Sequence, residues 1–138
     1  MPAAEWTIKR ERSNPSHPYM ARLRAVDDLR RWRAQLGLEK ASNFFLTNEE
    51  TGDELTVLMD SPFAAVCWMR ASDRLSFSAS TDPSFEAALE ADCHVFHMGA
   101  TPTPVPKDRC LDFSTMKRVV EHVFIRGTLP RWIAWRQP

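Results

Sequence analysis

A chain of 138 residues, 43% apolar and 26% charged, has the composition of an ordinary globular protein and is long enough to bury a core without disulfide or metal staples. Lys plus Arg (18) balance Asp plus Glu (18), which argues against a nucleic-acid binder relying on a generally basic surface. No apolar run approaches the roughly 18–20 residues of a membrane-spanning helix. Residues 1–18 lack the apolar stretch of a secretory signal. Three widely spaced cysteines, Cys67, Cys93 and Cys110, suit free thiols in a reducing cytoplasm. The expectation is one domain over residues 1–138, cytoplasmic and without a membrane span.

Residues 1–18 are polar and rich in proline, and read as a loose N-terminal segment in which EWTIKR forms a short edge strand. From Tyr19 to Leu36, Met20, Leu23, Val26, Leu29, Trp32 and Leu36 recur at spacings of three or four, which predicts a helix with one apolar stripe and Gly37 as its C-cap. Strand-like runs follow at 43–47 (NFFLT), 54–59 (ELTVLM), 63–70 (FAAVCWMR) and 74–80 (RLSFSAS). The turns between them are too short for crossover connections, so the four strands form an antiparallel meander. Residues 82–92 are ambiguous, with room for a short helical turn, and CHVFHMG (93–99) reads as a fifth strand. The proline-rich ATPTPVPKDR reads as a loop. A second helix begins at Asp112 or Ser114 as N-cap, carries Phe113, Met116, Val119, Val120, Val123 and Phe124 on one stripe, and stops at Gly127. RWIAWR (131–136) has strand composition. The predicted fold class is α+β: an antiparallel meander of five to six strands with two main helices packed on one of its faces.

No constellation for catalysis stands out. In CHVFHM, strand alternation puts Cys93, Val95 and His97 on one face and His94, Phe96 and Met98 on the other, so the two histidines cannot share a metal ion. There is no Gly-rich phosphate loop, no nucleophile elbow and no zinc-deaminase signature. Cys67, within AAVCWM, reads as a small core residue. The acidic residues Glu49, Glu50, Asp53 and Glu54 surround a hairpin tip, where charges are normally solvated. Neither a cofactor, a metal nor an enzymatic activity is expected.

The segment VPKDRCLDFSTMKRVVEHVFIRGTLPRWIAW (105–135) resembles the C-terminal signature of the immunity family numbered first among those of bacterial polymorphic toxin systems. That signature is an amphipathic helix ending in Phe and Gly, then Gly–x–x–Pro, and a tryptophan five residues beyond the proline. Gly127, Pro130 and Trp135 fall at those spacings, while Phe124 stands one position nearer the glycine than the family's phenylalanine. The resemblance implies a non-enzymatic protein that binds a cognate toxin in the producer's cytoplasm and neutralises it by occluding its active site. Family members often neighbour nucleic-acid deaminases, among other toxin types.

Tight interfaces concentrate energy in a few aromatic or arginine anchors. Trp68 and Trp132 are the expected anchors, placed on the face of the sheet away from the core. Glu49, Glu50 and Asp53 are the expected acidic contacts to a basic toxin. Trp135 shares a strand face with Ile133 and is expected to anchor the core. Two other classes fit the same sequence: a regulatory or binding module with a non-toxin partner, and a small enzyme assembled from Cys and His residues distant along the chain.

Overall fold

Alternation of apolar and polar residues sets the framework. In the computed structural model, which describes residues 5–10, 20–36, 43–60, 62–80, 90–98 and 101–137, the meander is formed by β3 (Phe44–Asn48), β4 (Glu54–Asp60), β5 (Phe63–Met69) and β6 (Ser76–Ala79), each antiparallel to the next. β6 starts two residues later than the sequence suggests, because Arg74 takes a positive φ of 60° inside the preceding turn. The β3–β4 turn is closed by the Asn48 side chain, whose Oδ1 accepts the N–H groups of Glu50 (2.9 Å) and Thr51 (3.3 Å). Gly52 is required there twice over. Its φ is +81°, and a Cβ would come within 3.2 Å of the Ala71 Cβ on the neighbouring turn.

The sheet extends further than the sequence indicates. β1 (Trp6–Arg10) and β2 (Met20–Leu23) continue it beyond β3, and β10 (Trp135–Arg136) pairs with β6 on the other side, giving the order β10-β6-β5-β4-β3-β1-β2. A short β9 (Leu111–Asp112) pairs with the start of β5. Among the described residues there are ten strands rather than five or six, eight in this sheet and two in a separate hairpin.

Three expectations are corrected. The EWTIKR strand is internal, not an edge, since β1 pairs on both sides and Trp6 and Ile8 are completely buried. The first helix does not begin at Tyr19. Residues Met20–Leu23 form β2, with Leu23 inward and Met20 52% exposed, although a helical stripe would bury both. The helix α1 (Val26–Leu36) starts where Asp28 reaches back to accept the N–H groups of Arg24 (3.0 Å) and Ala25 (3.1 Å), half of a capping box. Those two bonds, with help from Arg31, hold the Asp28 carboxyl below the usual carboxylate range. The predicted cap Gly37 lies outside the described residues, as do 81–89 of the ambiguous segment and residues 11–18 of the N-terminal one.

The third correction concerns the second half. CHVFHM does form a strand, β7 (Cys93–Met98), but it does not join the meander. It pairs with β8 (Thr101–Pro106), the stretch read as a proline-rich loop. A strand tolerates Pro102, Pro104 and Pro106 because every second N–H points the same way. All three missing donors therefore fall on the edge of β8 that, among the described residues, no strand pairs.

The second helix, here α2 (Phe113–Arg126), forms as the sequence predicts. Asp112 is its N-cap, accepting the Thr115 N–H at 3.3 Å. Gly127 ends it in the left-handed conformation at φ 70°, its N–H returned to the Val123 carbonyl at 2.8 Å. Asp112→Ala should lower stability by about 1 kcal/mol, the usual cost of losing a side-chain N-cap, read as a fall in melting temperature.

Two apolar clusters lie on opposite faces of the sheet. On one face, Trp6, Ile8, Leu46, Leu55, Val57, Val66 and Trp68 meet Leu29 of α1 and Met116, Val119, Val120, Val123 and Phe124 of α2. Both helices thus pack on that face, and Arg30 of α1 binds Glu121 of α2 at 2.8 Å. Trp6 lies 6.1 Å from Phe124, ring to ring. On the other face, Leu58, Ala65, Phe96 and Cys110 form a smaller cluster beneath the β7–β8 hairpin. Buried Asn43 ties that hairpin down. Its Nδ2 donates to the His97 carbonyl (2.6 Å) and its Oδ1 accepts the Met59 N–H (3.2 Å). Among the described residues, no helix is long and apolar enough to cross a membrane.

Candidate partner-binding surface

The chain turns back at Gly127, and Pro130 is buried, so residues 131–134 return along α2 before β10 begins. This is why the final strand contains only Trp135–Arg136 instead of the whole of RWIAWR; residues 131–133 are turn. The two tryptophans nevertheless have different environments. The Trp135 ring is half-buried against the main core beside Ile133, and its Nε1 donates to the Pro130 carbonyl at 3.1 Å. The Trp132 ring is 45% exposed. One side of it is covered by the Arg118 guanidinium, whose carbon sits 4.3 Å from the ring centroid. At an exposed site such a cation–π contact is worth about 0.5–1 kcal/mol, enough to hold the ring in place without hiding it.

The exposed face of α2 and the turn after it carry several cations. Arg118 and Ile125 are seven residues apart on α2 and share the stripe opposite the buried one. Ile125 is 44% exposed, an aliphatic side chain left in water on that stripe. Lys117, Arg126 and Arg131 are also exposed, and among the described residues none of them, nor Arg118, has a carboxylate within ion-pair distance. Burial and the neighbouring Arg126 push the His122 imidazole below its ordinary range, so it is neutral at pH 7 and the arginines set the charge. The helix pattern did contain a signal for this site. Ile125 is the aliphatic residue of α2 that falls off the Met116–Val120–Val123 stripe.

The second expected anchor is not at the surface. Trp68 is 4% exposed and belongs to the main core, with Leu55 and Phe77 as its direct cross-strand neighbours. The expectation that it lies on the face away from the core is corrected. On β5 it has the same parity as Ala64 and Val66, and that parity faces the helices.

The acidic residues divide. Glu49 and Glu50 are exposed at the tip of the β3–β4 hairpin and make no ion pair among the described residues. Asp53 is half-buried and structural, its Oδ1 accepting the Ala71 N–H at 2.8 Å and so clamping the two adjacent turns. Thr47 donates to Glu54 at 3.2 Å. Strand registers keep this tip apart from Trp132. The tip lies at the end of the sheet where β5 finishes, whereas β10 begins opposite Ala79, where β6 finishes.

Cys93, His94 and His97 distribute as alternation requires. Cys93 and His97 are exposed, while His94 turns the other way to Asp60 (2.8 Å) between the rings of Phe63 and Phe96. No group of three His, Cys, Asp or Glu that could hold a metal ion occurs among the described residues. Cys67 is half-buried on the outer face rather than within the core. Burial pushes its thiol up, and pushes Cys110 up to about 11. Thiolate is the reactive form. In native protein at pH 8, a thiol-titrating reagent should therefore modify exposed Cys93 rapidly, Cys67 slowly, and Cys110 only on unfolding, as read by peptide mass mapping. No protein-family model matches the chain, and no curated protein matches it.

Proposed function

We propose that the chain is an immunity protein, a non-enzymatic inhibitor that binds a cognate toxin in the producer's cytoplasm and blocks its active site. The sequence support is the helix–Gly–x–x–Pro–Trp pattern at Gly127, Pro130 and Trp135. The single structural observation that carries the reading is Trp132, nearly half exposed and stacked on the Arg118 guanidinium. A rigid aromatic anchor beside arginine is the kind of residue pair on which tight interfaces concentrate their energy. Its charge fits an acidic patch on the toxin.

Glu49 and Glu50 have a different part. Standing free at the far hairpin tip, they attract a basic toxin such as a nucleic-acid deaminase before contact, an effect on association rate that fades with salt. The test is to mix the purified chain with the protein encoded by the adjoining gene, assayed for toxicity on its own. A stoichiometric complex on size exclusion, with loss of toxin activity, is the expected result. A toxin that stays fully active and elutes alone would refute the proposal.

A further inference from the structure

The face of the sheet opposite the main core holds a second site that the toxin-binding surface does not use. Thr56 of β4 pairs with Cys67 of β5, and Cys67 pairs with Ser78 of β6. Three small polar groups therefore stand in one row across three strands, all half-buried. They floor a cleft of about 360 Å³ between the sheet and the β8 arm. Its other surfaces are apolar, from Leu58, Ala65 and Val105, with one exception, Arg109.

Arg109 is the unbalanced group. Its side chain is half-buried, and its Nε is shut off from solvent with no hydrogen-bond partner. Among the described residues no carboxylate lies within ion-pair distance of it. The nearest in sequence, Asp108, is already bound to Arg136 at 3.1 Å. A half-buried guanidinium with one N–H unsatisfied is partly desolvated, so a ligand that brings an anion gains more here than at a fully exposed arginine. The Cys67 thiol stays protonated at neutral pH, since burial raises its pKa more than the Ser78 hydroxyl and the Arg109 charge lower it. It adds polarity to the floor but no second charge.

We propose that this cleft binds a small monocarboxylic acid, with its carboxylate held by Arg109 and the hydroxyl of Ser78, and its apolar body against Leu58, Ala65 and Val105. One unpaired cation matches one negative charge better than a phosphate dianion. The volume lies within the range of about 300–1,000 Å³ typical of small-molecule sites. A peptide strand adding to the sheet at this wall is disfavoured, because Pro102, Pro104 and Pro106 leave the outer edge of β8 without N–H donors. The site is independent of the toxin-binding reading and stands or falls separately.

Titration of the ¹⁵N-labelled protein with hexanoate, and in parallel with hexanamide, tests this. Saturable shifts of the Cys67, Ser78 and Arg109 amides are expected, with hexanoate binding at least about 10-fold tighter than its neutral amide, the worth of one charge-assisted hydrogen bond. Arg109→Gln should remove that preference while leaving hexanamide binding as it was. Ser78→Ala should weaken hexanoate alone, and decides the matter if Arg109→Gln does not give a folded spectrum. Absence of saturable shifts, equal affinity for acid and amide, a folded Arg109→Gln protein that keeps the preference, or a Ser78→Ala protein with unchanged hexanoate affinity would overturn the proposal.

Discussion

Replacing Trp68 by alanine is expected to destabilise the protein by about 3–5 kcal/mol, the range for emptying a fully buried aromatic site. For a domain of this size that lowers the melting temperature by roughly 10–20 °C. The ring is 4% exposed and flanked across the sheet by Leu55 and Phe77, with the apolar stripe of α2 in the same cluster. Thermal and urea denaturation both read the effect, and the urea midpoint should fall with little change in slope. Any loss of toxin binding by this variant should follow from the unfolded fraction alone. An unchanged melting temperature would contradict the placement of Trp68 in the core and restore it as a contact residue.

Trp132→Ala is expected to do the reverse. Its ring contributes one exposed cation–π contact to the fold, so stability should fall by no more than about 1 kcal/mol. In the proposed role of interface anchor it should cost at least about 2 kcal/mol of binding, roughly a 30-fold weaker Kd for the partner, measured by calorimetry or surface capture. Arg118→Gln should give a smaller loss of the same kind, because it removes the cation that fixes the ring. Glu49→Gln with Glu50→Gln should slow association at low salt and leave dissociation nearly unchanged, since groups that steer without contact act on the encounter. A Trp132→Ala protein that binds as tightly as wild type would move the interface elsewhere on the molecule.

The legible parts of the fold are those in which one periodicity dominates. RLSFSAS alternates cleanly, and the apolar stripe of α2 is bounded by Asp112 and Gly127, two residues with specific capping chemistry. These elements form close to where the sequence puts them. Met20 and Leu23 misled because a spacing of three also suits the ends of a short strand once Ala21 shares the inward face with Leu23. Three prolines in six residues concealed β8, since proline marks a strand as absent unless the unpaired edge is known in advance. β5 is apolar on both faces, with Ala65 and Cys67 outward and Ala64, Val66 and Trp68 inward. Parity along it is certain, but which parity faces the helices depends on where the helices pack.

The candidate site shows the same division. Alternation along RWIAWR predicts that Trp132 and Trp135 differ, but only Trp135–Arg136 are strand, so the difference in exposure comes from the turn at 131–133 and not from strand parity. The stacking of Trp132 on Arg118 joins residues fourteen positions apart through a chain reversal, and local pattern does not encode it. The exposed Ile125 was the available clue. Arg109 and the Thr56–Cys67–Ser78 row were equally hidden, because cross-strand register brings them together across residues 56–109.

The most direct test of the proposed immunity function is growth of cells that express the product of the adjoining gene, with wild-type chain, Trp132→Ala or empty vector supplied in trans. The account predicts full growth with wild type, and growth with Trp132→Ala that falls toward the empty-vector level while the variant protein remains folded and present at normal abundance. Cells that die equally with wild-type chain and with empty vector would contradict it.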